Sequence, residues 1–129
     1  MLRKQTPPLI AIVDDDPIYR KVLSFLLKKY KFDILFEAEN GQDCIDKLKI
    51  SFVLPTLVFV DVEMPVMDGF ETVKLLKKHW PQLKIIAHSS ILDHNARNKM
   101  KKNGADLFLV KNDKIVEMAE AIWQVVNEA

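Results

Sequence analysis

Acids, a hydroxyl and a lysine stand at matching places along this chain. Asp14 and Asp15 follow the apolar run LIAIV, Asp61 closes LVFV, Ser89 follows LKIIAH, and Lys111 closes DLFLV. Three carboxylates packed together repel and raise one another's pKa unless a cation sits among them. An all-oxygen donor set, with no His or Cys in the pattern, suits a hard cation such as Mg2+ and not zinc. A metal, a carboxylate nucleophile and a lysine together describe phosphoryl transfer to an aspartate, where positioning and charge neutralisation do most of the work. Asp61 is the central candidate. Lys111 would pair with a phosphoryl oxygen, and the Ser89 hydroxyl would bond another only once the group is present. Each acid taken alone reads better as a turn residue. Their joint placement after four apolar runs carries the functional reading.

Those runs must be strands. LIAIVD, Leu9 to Asp14, is continuously apolar until its acid, as in a strand buried on both faces of a parallel sheet. Asp16 before Pro17 reads as a helix N-cap, and Ile18, Val22, Phe25 and Leu26 recur at helical spacing to about Tyr30. DILFEA (33–38) gives a second strand. Asn40 and Gly41 open a second helix with Cys44, Ile45 and Leu48 among its apolar positions. TLVFV is the third strand; Asp68 and Glu71 have capping-box spacing, and Phe70, Val73, Leu76 and Trp80 mark a third helix that Pro81 ends. LKIIAH (83–88) is the fourth strand. A polar fourth helix follows from roughly Asp93 to Asn103, with Ala96 and Met100 on its buried side and Gly104 as its stop. DLFLVK (106–111) is the fifth strand, and Ile115, Met118, Ala119, Ile122, Val125 and Val126 form one face of a last helix capped by Asp113. Alternation of five strands and five helices predicts a three-layer, doubly wound α/β domain with a parallel sheet of order 2-1-3-4-5, flavodoxin-like in arrangement. In such sheets the site lies beyond the carboxyl ends of the strands, where strand order reverses, here between strands one and three.

The chain's 129 residues fit one domain, residues 9–129 after a polar lead of 1–8, and a hydrophobic content of 49% suffices for a core. Nineteen basic against eighteen acidic residues leave a net charge of +1, so no global field draws the chain to nucleic acid or an anionic membrane. The single Cys44 cannot form an internal disulfide, and LIAIV is too short for a signal-peptide core or a span. A cytoplasmic protein is expected. Cys44 reads as a small buried apolar residue, and His79, His88 and His94 share no spacing and read as surface or packing residues. Lys99, Lys101 and Lys102 suit the negative end of the fourth helix. Val116, Ala119 and Trp123 flank the last helix's apolar face, where the tryptophan extends the core or anchors a partner.

With these residues in view, the chain resembles the receiver domain of bacterial two-component response regulators. The motifs are VDDD at 13–16, DVEMPVMDGFE at 61–71, HSS at 88–90, GAD at 104–106 and FLVK at 108–111. Each is weak alone, and their order and spacing together are specific. The resemblance implies Asp61 as phosphoacceptor, Asp15 as a direct Mg2+ ligand, Asp14 as a ligand acting mainly through water, and the Glu63 backbone carbonyl as a further ligand. It implies Ser89 as the switch hydroxyl, Lys111 as the phosphoryl contact, and Phe108 as the aromatic whose rotamer reports phosphorylation. Two positions depart from the pattern. Asn112 stands where the family usually has proline after a cis peptide bond, and a cis bond before a non-proline residue costs about 3 kcal/mol, which favours a trans link. Ser90 stands where alanine is common; Ser89 is preferred because it lies four residues after Ile85, the family spacing.

The expected function is a signalling switch and not an enzyme in the ordinary sense. A sensor histidine kinase or phosphotransfer protein donates to Asp61, and the surface of the fourth helix, fifth strand and fifth helix changes an output partner or a homodimer contact. No DNA-reading segment follows Glu128, so direct nucleic-acid binding is not expected. Two alternatives stand beside it. Asp61-Val62-Glu63 is loosely similar to the D-x-D motif of haloacid-dehalogenase-type hydrolases, which suggests an aspartate-nucleophile phosphatase, although that motif sits near the start of a larger chain. A receiver that docks independently of phosphorylation is the other, with Asn112 as its hint.

Overall fold

The computed structural model describes residues 6–111 and 114–128. Five strands, β1 (Leu9–Val13), β2 (Asp33–Ala38), β3 (Leu57–Asp61), β4 (Lys84–Ser89) and β5 (Leu107–Val110), alternate with α1 (Pro17–Lys29), α2 (Gly41–Ile50), α3 (Gly69–His79), α4 (His94–Asn103) and α5 (Ile115–Asn127). The strands are parallel in the order β2-β1-β3-β4-β5, with one register shift between Ile10 and Ala11 on the β2 side. The predicted topology is thus the observed one.

Successive strand residues face opposite sides, so the apolar strands feed two cores. Ala11, Val13, Val58, Val60, Ile85 and Ala87 pack with Cys44, Leu48, Val73, Leu76 and Met100 from α2, α3 and α4. Ile10, Ile12, Leu57, Phe59 and Ile86 pack with Leu23, Leu27, Met118 and Ile122 from α1 and α5. Because β3 is buried along its whole length, the carboxyl at its end is carried to the rim by a strand that cannot shift without opening both cores.

Helix starts follow their caps. Asp16 accepts from the amides of Ile18 and Tyr19, Asn40 from Asp43, Asp68 from Glu71, and Asp93 from Asn95 and Ala96. Gly104 ends α4 at φ 114°, a left-handed conformation that glycine adopts without a Cβ penalty. The last helix begins at Ile115 with Lys114 at its N-cap; Asp113, expected as the cap, lies outside the described residues, as does the Lys111–Asn112 link.

The residues whose spacing marked α1, Ile18, Val22 and Phe25, are 76%, 49% and 60% exposed, and α1 buries Leu23, Ser24 and Leu27 instead. The helix carries two apolar stripes, and contact with β1, β2 and α5 selects one; periodicity alone does not distinguish them. Pro8, counted within the polar lead, is buried and its carbonyl accepts from the Asp33 amide. Trp123 packs against the α1–α5 core with its ring 5.9 Å from Phe32, which makes it an extension of the core.

Candidate functional site

The carboxyl ends of β1, β3, β4 and β5 enclose a cleft of about 480 Å3 lined by Asp14, Asp15, Asp61, Glu63, Ser89, Ser90 and Lys111, with Asp16 and Tyr19 from the start of α1. All the residues singled out for chemistry are here except Phe108. That ring is buried in β5, in the core shared with α2, α3 and α4, beside Ala87 of β4.

Asp14 is nearly fully buried and tightly bound. Its Oδ1 accepts from the Asp16 amide at 2.9 Å and its Oδ2 from Lys111 Nζ at 2.7 Å. Its own amide donates to the Ala38 carbonyl, while Arg20 Nη1 donates to its carbonyl at 2.6 Å. Asp15 projects into solvent, so the two adjacent acids meet the cleft from different depths. Asp61 is buried and lies with Oδ1 3.4 Å from Lys111 Nζ. Asp14, Asp15 and Asp61 each present an oxygen within 4.8 Å of the others. Burial and the Asp14 charge push the Asp61 carboxyl up to about 7, against the pull of Lys111. One ammonium therefore does not neutralise the cluster. A set of oxygen ligands short of positive charge fits a hard divalent cation.

Burial of Lys111 lowers its pKa, and Asp14 and Asp61 more than offset this, so the group is raised overall and stays charged. Ser89 is buried at the end of β4, its Oγ accepting from the Ile91 amide and its carbonyl from the Lys111 amide at 2.6 Å; Ser90 is exposed. The β4–β5 bond thereby sets the lysine beside the serine. Past Asp61, the Val62 amide bonds the His88 carbonyl, and the Met67 amide bonds the Pro65 carbonyl at 2.7 Å around Val66 at φ 69°. Gly69 then bonds the Val62 carbonyl, and a Cβ there would strike the Asp61 carbonyl oxygen and Val62 Cα.

Two residues of the site were not legible as such. His88, expected as a surface or packing residue, is 2% exposed and shares a hydrogen bond of 3.3 Å with the Tyr19 hydroxyl; Tyr19 in turn lies under Lys111 Nζ, 4.3 Å from its ring centroid. A hint existed in the sequence: His88 interrupts an otherwise apolar strand directly before Ser89. His79 and His94 are exposed, away from the cleft. Cys44 is buried and its thiol is pushed up to about 12 by burial, as expected of an inert packing residue.

The family sequence model described as the response regulator receiver domain matches residues 10–123. The chain belongs to that family. This receiver domain is 34% identical over 118 residues to the chemotaxis protein CheY of Bacillus subtilis, covering 92% of this chain and 97% of that one. It is 29% identical over 122 residues to the response regulator protein VraR of Staphylococcus saprophyticus, covering 94% of this chain but only 57% of VraR's length. Among solved structures, the response regulator TrrA of Thermotoga maritima in complex with Mg2+–BeF is 28% identical with a TM-score of 0.81, over 92% of this chain and 98% of that one. Among the described residues of the receiver domain no helix is long and apolar enough to cross a membrane.

Proposed function

We propose that this receiver domain is a cytoplasmic phosphoacceptor switch that takes a phosphoryl group from a phosphohistidine onto Asp61 with Mg2+ held by Asp14, Asp15, Asp61 and the Glu63 carbonyl. The observation that carries it is the sharing of one ammonium, that of Lys111, between Asp14 and Asp61 at the floor of an acidic cleft. The cation supplies the charge that lets three carboxylates and a phosphoryl group occupy one site. An Asp61 carboxylate oxygen attacks phosphorus as the phosphorus–nitrogen bond to the donor imidazole breaks, and the imidazole leaves and takes up a proton. Lys111 turns part of its pull from the acids to a phosphoryl oxygen. The Ser89 hydroxyl, at rest an acceptor for Ile91, donates to another. Its movement frees space that Phe108 fills, and the surface of α4, β5 and α5 presents a changed face to an output partner or a second copy.

The donor's seat is supported by α1. Ile18 and Val22 are exposed beside an apolar groove of about 310 Å3 lined by Asp16, Tyr19, Leu26, Ile115 and Met118. Asp16 and Tyr19 also line the acidic cleft, so a helix of the donor lying in the groove brings its histidine to Asp61. Incubation with Mg2+ and acetyl phosphate, followed by intact mass measurement, tests the reading. One phosphoryl adduct, absent from Asp61→Asn, is expected. An unmodified wild-type protein, or an adduct kept in Asp61→Asn, refutes it, and repeated turnover of a phosphate ester would make the protein a phosphatase.

A further inference from the structure

Lysine ends in a strongly hydrated point charge on a flexible four-carbon stem, so an ammonium that must meet one phosphoryl oxygen has to be held there. Lys111 Nζ has two kinds of partner. Asp14 and Asp61 take it at 2.7 and 3.4 Å, and it sits over the ring of Tyr19 at 4.3 Å from the centroid. The carboxylate grip weakens whenever a cation or a phosphoryl group engages those acids. The ring face does not depend on them, since its attraction for an ammonium comes from its own quadrupole. Tyr19 is itself fixed. Its hydroxyl shares a hydrogen bond with His88 Nε2, its ring meets the imidazole edge-on at 5.6 Å, and His88 is wedged against Phe59 at 5.5 Å in the buried end of β4.

We infer that Tyr19 and His88 are positioning residues for phosphoryl transfer: Tyr19 keeps the Lys111 ammonium at the cleft, and His88 keeps Tyr19 in place. The inference rests on the phosphoacceptor reading for its kinetic consequence and on geometry alone for the placement of Lys111. His88 neighbours Ser89 in β4, so the device ties the lysine's position to the strand that carries the switch hydroxyl.

Two measurements test it. The first is the rate constant for phosphorylation by acetyl phosphate with Mg2+ in a double-mutant cycle. Tyr19→Leu should slow the wild-type reaction about 3- to 10-fold, the range a partly desolvated cation–π contact supports. Tyr19→Phe, which keeps the ring and its edge contact with His88 but loses the hydroxyl bond, should slow the reaction less than Tyr19→Leu. His88→Leu should slow the wild-type reaction and add nothing to Tyr19→Leu, and a wild-type rate in His88→Leu would overturn its part. In a Lys111→Ala background Tyr19→Leu should change the rate by less than about 2-fold. An equal loss in both backgrounds would mean a merely structural tyrosine and would overturn the inference. The second is NMR of the metal-free protein, where the Lys111 ε-methylene protons should be shifted upfield by the ring and lose that shift in Tyr19→Leu. Unshifted protons in the wild type overturn the placement. Should the wild type accept no phosphoryl group, the phosphoacceptor reading fails, and the NMR comparison still decides whether Tyr19 holds Lys111.

Discussion

Asp61 and His88 are register partners at the carboxyl ends of β3 and β4, side by side on the face that α1 and α5 cover, and their acidities are displaced in opposite directions. Asp61 is raised from 3.8 to about 7 by burial and by Asp14, while His88 is lowered from 6.5 to about 3 by burial and by Lys111. Each shift favours the uncharged form: His88 is neutral throughout the ordinary range, and Asp61 ionises only as pH rises through about 7.

This pairing predicts a compensated pH profile. Between about pH 4 and 7 the folded protein keeps a proton on Asp61 that the unfolded chain has lost, so this group's contribution to stability falls as pH rises. Between about pH 3 and 6.5 the unfolded chain carries a proton on His88 that the folded protein lacks, so this contribution rises with pH. The two slopes oppose each other across their shared window. Urea midpoints of the metal-free protein should therefore vary little from about pH 4 to 6.5, should rise with pH in Asp61→Asn, and should fall in His88→Phe. Parallel curves for the three proteins would contradict the assignment.

Relief of the carboxylate cluster should show as stability. At pH 8 Asp61→Asn should stabilise the metal-free protein by on the order of 1–3 kcal/mol, because it removes a charge held against burial and Asp14. Mg2+ should stabilise the wild type, by about 2.7 kcal/mol at a hundred times its dissociation constant, and should do much less for Asp61→Asn. Thermal melts with and without the cation report both effects.

Gly69 is predicted to be intolerant. A methyl group there meets the carbonyl oxygen of Asp61 and the Cα of Val62, backbone atoms that cannot swing aside as a side-chain end could. Gly69→Ala should cost about 1–3 kcal/mol by overpacking. It should also slow uptake of the phosphoryl group by moving Asp61. Chemical denaturation and the acetyl phosphate assay together check this; a mutant with native stability and native rate would show that the turn has room.

The exposed stripe of α1 should matter to a protein donor and not to a small one. Ile18→Asp leaves the core untouched and places an acid in a helix's first turn, so its effect on stability should stay within about 0.5 kcal/mol. Phosphotransfer from a histidine kinase that serves this protein should slow at least about tenfold, which is about 1.4 kcal/mol. The rate with acetyl phosphate should be unchanged. Equal slowing with both donors would place Ile18's effect in the chemistry instead of the docking.

Much of this protein is written locally. Apolar runs ending in acids, Asp and Asn caps, Pro17 and Pro81 at helix limits and Gly104 past a helix end act within a few residues, and they sufficed for element order, parallel topology and the rim on which Asp14, Asp15, Asp61, Ser89 and Lys111 meet. What pairing across the sheet and between helices decides is not local. Which stripe of α1 is buried depends on the shapes of β2 and α5, so Leu23 and Leu27 go in while Ile18 and Phe25 stay out. That the hydroxyl of Tyr19 reaches His88, 69 residues away, and that Lys111 reaches Asp14 across 97, depends on β1 and β5 flanking β3 and β4. The sequence by itself named the candidate groups through their place at strand ends; only the tertiary structure, by closing long-range contacts that carry no local periodicity, decided what holds them.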